Sequence, residues 1–272
     1  MSALARPKIS VTIITKNEEA EIRECIESVA WADEIIVVDS FSTDRTVEIA
    51  NEMGALVEQR TFTGFTDQKQ HASDNAAGPW ILNIDADERV TPELRAEIEG
   101  ALAKSHAPNG DPGNAAPSNG DPAGYTIPRR TWYAGAFVKH AWWPDRKLRL
   151  FLKERGRWTG GSVHEGMAVD GPVAELQSPL VHYSFRTLTD HLRTINNLTE
   201  HGADDLVRAG AGRSIWNLII RPPSTFIKMY FIRRGILDGW RGLVIAFLSA
   251  AHTTLKYAKA RQRHDEADET RS

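Results

Sequence analysis

The chain has 272 residues, 41% hydrophobic and 25% charged, with a formal net charge of −3. That composition excludes wholesale disorder and allows one sizeable core or two small ones. The single cysteine, Cys25, excludes an internal disulfide and fits a reducing cytosol. The start of the chain runs through Arg6 and Pro7 directly into a strand, so no signal peptide is expected, and no apolar run reaches the roughly 18 residues of a membrane span.

Ile9-Ser10-Val11-Thr12-Ile13-Ile14 is predicted as a β-branched strand. A helix capped at Asn17 or Glu18 should follow to Ala30, with Ile22, Ile26 and Val29 on one face and Cys25 packed among them. Glu34-Ile35-Ile36-Val37-Val38-Asp39 is a second strand. Ser42 or Thr43 caps a helix over residues 44–53, which Gly54 stops, and residues 55–58 form a short third strand. A polar helix over 66–76 leads to the strand Trp80-Ile81-Leu82-Asn83-Ile84, and Pro92 opens another helix. Strands alternating with helices in this way imply βαβ units and a mostly parallel sheet.

Residues 105–124 break the pattern. Asn109-Gly110-Asp111-Pro112 recurs as Asn119-Gly120-Asp121-Pro122, a composition that cannot build a core and reads as a surface loop insertion. Strands are expected near 125–127 and 147–151, an aromatic, glycine-rich stretch spans 132–166, and the chain turns helical from about Leu188, with Pro222-Pro223 dividing the helical part.

The chemistry gathers at strand ends. No Gly-X-Gly-X-X-Gly follows the first strand and no Gly-Lys-Ser/Thr loop occurs, which disfavours Rossmann dehydrogenases and P-loop enzymes. Instead Thr15-Lys16-Asn17-Glu18-Glu19, Asp39-Ser40-Phe41-Ser42-Thr43-Asp44 and Asp85-Ala86-Asp87-Glu88 end three strands at one sheet edge, where open α/β sheets bind ligands. Two carboxylates one residue apart, Asp85 and Asp87, suit Mg²⁺ or Mn²⁺ on a diphosphate, and read otherwise as a solvated turn. Asp39 can accept bonds from ribose hydroxyls or a base N–H, or like Asp44 can cap a helix.

These three clusters, in this order over roughly the first hundred residues, resemble the family 2 glycosyltransferases of GT-A fold. Residues 142–185, with Trp143-Pro144-Asp145, Lys147-Leu148-Arg149-Leu150-Phe151, Val163-His164-Glu165 and His182-Tyr183-Ser184, resemble the bacterial branch containing lipopolysaccharide core β-glucosyltransferases. Phe41 departs from the pattern, since many relatives carry glycine there. The resemblance implies a metal-dependent inverting transfer from a nucleotide sugar, UDP-glucose in the first instance, to a glycolipid acceptor. Thr15, Asn17, Glu18, Asp39, Asp85 and Arg149 are then the donor-binding candidates, and Asp87, Asp85 and His164 the metal candidates. A carboxylate base must come from beyond the metal site: Glu165, in the glycine-rich run Gly160-Gly161-Ser162-Val163-His164-Glu165-Gly166, is the first choice and Asp145 the second. Either could instead pair with a nearby arginine. His182 is a further candidate ligand or a structural histidine. Arg146 and Arg149 could meet phosphate or line a strand's solvent face, and Trp132, Tyr133, Trp142 and Trp143 could stack on sugars or fill a core. Transfer to a polyprenyl phosphate, which needs no protein base, and a noncatalytic nucleotide-sugar-binding scaffold are the alternative readings.

Residues 213–263 hold ten Lys/Arg against one acid, Asp238, a local charge of +9. Ile215-Trp216-Asn217-Leu218-Ile219-Ile220 and Phe226-Ile227-Lys228-Met229-Tyr230-Phe231-Ile232-Arg233-Arg234 mix these cations with apolar and aromatic residues, as helices at membrane interfaces do, while a packed helical face is the plainer reading. Nucleic acid is not expected, because no recognition motif accompanies the charge. The expected organisation is a GT-A α/β domain over 6–185, a basic membrane-associating helical extension over 186–263 at the inner face of the cytoplasmic membrane, and an acidic tail over 264–272.

Overall fold

The computed structural model describes residues 8–104, 120–160 and 165–270; most of the expected loop insertion, and His164, lie outside them. The described residues form two compact units. One runs up to Arg129 and takes in Arg146–His182; the other holds Arg130–Asp145 and the chain from Tyr183 onward. Residues 130–145 therefore go with the helical part rather than the α/β part. The cause is packing: Tyr133, Val138, Ala141 and Ile245 form one buried cluster, with Trp142 and Phe185 against it.

The first unit is built from β1 (Ile9–Thr15), α1 (Ile22–Val29), β2 (Glu34–Asp39), α2 (Thr46–Glu52), β3 (Leu56–Gln59), α3 (Phe65–Asp74) and β4 (Trp80–Asp85). These strands lie parallel in the order β3-β2-β1-β4. Val11, Ile13, Val37, Leu82 and Ile84 on one face and Val38 and Ile81 on the other are fully buried, as both faces of a helix-covered parallel sheet require. Because β1 pairs with β2 on one side and β4 on the other, the strand order reverses at β1, opening a crevice at the carboxyl ends. Register then places the polar ends side by side: Thr15 opposite Asp39, and Ile14 opposite Asp85.

After β4 come β5 (Glu88–Val90), α4 (Pro92–Lys104), β6 (Gly124–Tyr133), β7 (Ala136–Phe137), β8 (Asp145–Leu152), β9 (Gly156–Gly160), β10 (Glu165–Val169), β11 (Val173–Glu175) and β12 (Leu180–Phe185). The sheet continues past β4 as β8-β6-β12-β5, with β8 antiparallel to β4 and β12 antiparallel to β5. Strand β5 was not expected from the sequence; it is three residues long and interrupts the approach to Pro92. Its register sets His182 opposite Glu88.

Two other elements differ from expectation. Helix α1 starts at Ile22, not near Asn17, because Asn17 has φ 57° and the Glu18 carbonyl closes a turn by accepting from the Glu21 and Ile22 amides. Pro222 and Pro223 do not divide the helical part: they sit inside α6 (Trp216–Ile227), which runs on into a wide helical turn over Lys228–Ile232. The break comes later, where Arg234 takes φ 55° and Gly239 φ 62° before α7 (Gly239–Glu269). This corner is tight enough to demand glycine. A Cβ on Gly242 would lie 1.7 Å from the Gly235 carbonyl oxygen. The expected acidic tail is helical through Glu269, and His264 within it is buried, its Nε2 donating to the Ala211 carbonyl at 2.8 Å.

Candidate functional site

The ends of β1 and β2 are tied together by side chains acting on backbone. Asn17 accepts from the Thr43 amide (2.8 Å), the Asn17 amide donates to Ser42 Oγ (2.8 Å), and the Glu18 amide donates to Thr46 Oγ1 (2.7 Å). Asp44 receives the Thr46 and Glu19 amides, which is the capping role weighed for it. Phe41, at the position where glycine was expected, has φ 57° and an exposed ring. The turn thus keeps the left-handed backbone that glycine adopts freely, at a steric cost on the order of 1–3 kcal/mol.

Asp39 is fully buried. Its carboxylate accepts from Thr15 Oγ1 (3.0 Å), from the Ser42 amide (2.8 Å) and hydroxyl, and from Gln59 Nε2 (3.2 Å). Thr15 and Asp39 are therefore brought together as the sequence implied, in a saturated cluster forming the floor of the crevice.

At the end of β4 the two aspartates have unlike surroundings. Both oxygens of Asp85 meet cations: Oδ1 lies 3.0 Å from Lys69 Nζ and Oδ2 2.6 Å from an Arg149 amine. Burial pushes the Asp85 carboxyl up, but Arg149 and Lys69 outweigh it and hold it well below the usual carboxylate range. Arg149, itself buried, also bonds Glu88 Oε1 (2.7 Å) and Asn83 Oδ1 (3.1 Å). Glu88 is wholly buried, receives Arg129 (3.1 Å), and closes the turn by accepting the Asp85 amide (2.9 Å). Asp87 is part-exposed on the turn, and its Oδ2 lies 3.2 Å from His182 Nε2. An acidic field extends to Glu18, whose carboxyl is pushed up to about 7 by burial and then by Asp87, Glu21, Asp44 and Asp85.

Lys69 is the residue that sequence reading missed. Only 1% of its side chain is exposed, and it joins Asp85 to Glu165 Oε1, 2.5 Å away, while lying 5.1 Å from the Trp158 ring centre. It occurs in a helix that reads as polar throughout. Its one sequence signal is helical spacing: Gln68, Lys69, Ala72 and Ser73 lie on the face that α3 buries. Glu165, expected to meet an arginine if it were not a base, meets this lysine instead.

Other candidates fall elsewhere. Arg146 bonds the Leu176 carbonyl and Gln177, supporting β11 and its following turn rather than a phosphate. Asp145 begins β8 in the second unit. There Tyr133 is fully buried with Trp142, Phe185 and His191 around it, as part of a core, while Trp132 is half-buried and packs edge-on to Phe137.

The residues present fit a divalent cation. Asp87 offers a hard, part-exposed oxygen, and the His182 ring offers a nitrogen beside it. Among the described residues no third ligating side chain joins them. Both oxygens of Asp85 are held by Lys69 and Arg149.

Comparison with known proteins agrees with this geometry. Residues 10–167 match the family model described as glycosyl transferase family 2. The lipopolysaccharide core biosynthesis glycosyltransferase LpsC of Rhizobium meliloti (strain 1021) is 30% identical over 95% of this chain and 97% of its own length. An uncharacterized glycosyltransferase of Rickettsia typhi (strain ATCC VR-144 / Wilmington) is 34% identical over 94% of this chain and 87% of its own. Among solved structures, the mannosyltransferase PcManGT from Pyrobaculum calidifontis, in complex with GDP-Man and Mn²⁺, matches with a TM-score of 0.50 at 16% identity, over 92% of this chain and 87% of that one. At that identity the likeness is one of fold. A strand order reversing at β1, an acidic turn after β4 and a family match spanning both make this chain a GT-A glycosyltransferase of family 2.

Proposed function

We propose that the protein is a metal-dependent inverting glycosyltransferase that moves glucose from UDP-glucose to a lipopolysaccharide-core or related glycolipid acceptor, at the inner face of the cytoplasmic membrane. The observation that carries the metal and donor reading is the division of labour at the β4 turn. Asp85 is neutralised by Lys69 and Arg149, while Asp87 and His182 stand together and part-exposed.

Asp87 and His182 would hold Mg²⁺ or Mn²⁺, and an ion bound there would neutralise the leaving diphosphate. Lys69 and Arg149 flank the same turn and fix the Asp85 carboxylate between them. Thr15, Asn17, Glu18 and Asp39 form the floor for the nucleoside. Glu165 is the base that takes the proton from the acceptor hydroxyl as it attacks the anomeric carbon, with the Lys69 ammonium fixing where its carboxylate sits. Support for the acceptor class comes from near full-length likeness to a relative of lipopolysaccharide core biosynthesis.

The test is a panel of nucleotide sugars, scored by metal-dependent thermal stabilisation and by transfer. A donor at a hundred times its dissociation constant should add about 2.7 kcal/mol of stability. Asp87→Ala should abolish the metal-dependent part of that gain while leaving the unliganded protein as stable as before. Glu165→Gln should cut turnover by about 10²–10⁴-fold at preserved donor affinity. Full transfer activity in Asp87→Ala would remove the metal from the reaction; a near-normal rate in Glu165→Gln would move the base elsewhere, with Asp145 next in line, or favour an already ionised phosphate acceptor.

A further inference from the structure

The charge of +9 read over residues 213–263 does not survive folding as a uniform basic face. Its far end is consumed internally: Lys259 and Arg263 pair with Glu200, Arg263 with Asp204, Arg213 with Asp268 and Arg261 with Asp265. What remains is Lys256 and the stretch 221–241. In that stretch Arg221, Lys228, Arg233, Arg234 and Arg241 make no ion pair with a carboxylate among the described residues. Asp238, the one acid of the stretch, is turned inward, accepting from the Lys139, His140 and Ala141 amides at 2.8–3.1 Å.

The chain from Trp216 to Phe247 carries the greatest concentration of exposed apolar side chains among the described residues. On α6 and the wide turn after it, Trp216, Ile219, Ile220, Ile227 and Phe231 recur at helical spacing, 50–63% exposed. On the corner and α7, Leu237, Trp240, Leu243 and Phe247 do the same, 45–67% exposed, opposite the buried Gly242, Ile245 and Ala246. Helices α6 and α7 pack side by side, and the corner packs on α7 and on the wide turn after α6. An apolar surface rimmed by charge of a single sign, with tryptophans among its exposed residues, suits an anionic bilayer surface better than water or a mixed-charge protein partner. No described helix is long and apolar enough to cross a membrane, so contact is made from one side.

We propose that α6, the corner at Arg233-Arg234-Gly235 and the first turns of α7 form an interfacial docking face. In it Trp216, Phe231 and Trp240 enter the acyl boundary, and Arg221, Lys228, Arg233, Arg234 and Arg241 bind anionic headgroups. This deepens the location given above, yet its test reads lipid binding alone and so fails separately from the transfer reading.

The experiment is flotation of the full-length protein with vesicles of phosphatidylcholine containing phosphatidylglycerol, against phosphatidylcholine alone, at low and high salt. Binding should require the anionic lipid and weaken with salt. Removing two cations, in Arg233→Gln with Arg234→Gln, should weaken it about 30-fold at roughly 1 kcal/mol per charge. Trp216→Ser with Trp240→Ser should also release the protein, and brominated lipid should quench the parent's tryptophan fluorescence. Donor hydrolysis unchanged in all variants shows that they are folded. Three outcomes overturn the proposal: no binding to anionic vesicles at low salt, binding equal in parent and variants, or a lipid-free dimer that the tryptophan substitutions dissolve, which would make the face a contact between copies of the chain.

Discussion

At the scale of single residues, Lys69 decides more than any motif residue. It lies, almost wholly buried, between two carboxylates, and removing one partner of a buried ionic group costs far more than the group contributes net. Lys69→Met should therefore lower stability by about 3–5 kcal/mol in urea unfolding. Asp85→Asn in the same chain should give back part of that loss, since the two changes share one network. Additive losses would show that Lys69 and Asp85 act independently. Glu18 gives the opposite sign. Its carboxyl stands at about 7 in the fold against 4.5 outside it, so the folded chain holds this proton more tightly. Stability from this group is whole below pH 4.5 and is lost as pH rises through 7. Glu18→Gln should then stabilise the metal-free protein, with a gain growing over that window to at most about 3 kcal/mol, less for the part of the group that water reaches. Denaturation at pH 5 and pH 8 reads it, and a gain equal at both would assign the effect to something other than charge.

At the scale of elements, what was legible depended on whether the signal was local. Strands β1, β2 and β4 are continuous β-branched or apolar runs bounded by polar clusters, and they stand where the sequence places them. Helix α5 (Leu188–Arg208) likewise starts beside its Thr187–Asp190 capping box, at the expected Leu188. Strand β5 was not legible, because three residues carry no periodicity; it exists through pairing with β12, some ninety positions away. That same long-range pairing brings His182 to Asp87, which is why spacing alone left His182 undecided. Pro222 and Pro223 misled for a different reason. Proline lacks an amide and ordinarily interrupts a helix, but α6 has solvent-facing positions on both sides of the pair where water can serve the stranded carbonyls. The acidic strand ends of the proposed donor site were plain from the sequence as polar clusters. The cations that neutralise Asp85 were not, since neither a lone lysine in a polar helix nor an arginine in an alternating strand announces its partner.

At the scale of the whole molecule, the helical C-terminal part is not a detachable anchor. Ile245 belongs to the buried cluster of Tyr133, Val138 and Ala141, and Asp238 holds three amides of the 139–141 turn. Removing the chain from Ile215 onward should therefore unfold its own unit rather than release a trimmed transferase. Hydrogen exchange should show the Lys139, His140 and Ala141 amides losing protection in the truncated protein; retained protection would mark the C-terminal part as dispensable after all. Charge is likewise sorted rather than spread. The protein carries −3 in total, but five cations without a carboxylate partner among the described residues, Arg221, Lys228, Arg233, Arg234 and Arg241, stand together within residues 221–241. Net charge is therefore a poor guide to handling it. An anion-exchange resin meets an acidic protein and a cation exchanger meets a basic one, so the same preparation should be held by both. Low-salt storage should let the acidic surface of one molecule find the arginines of the next, and moderate salt, rather than a shift of pH, is the condition that keeps such a chain dispersed.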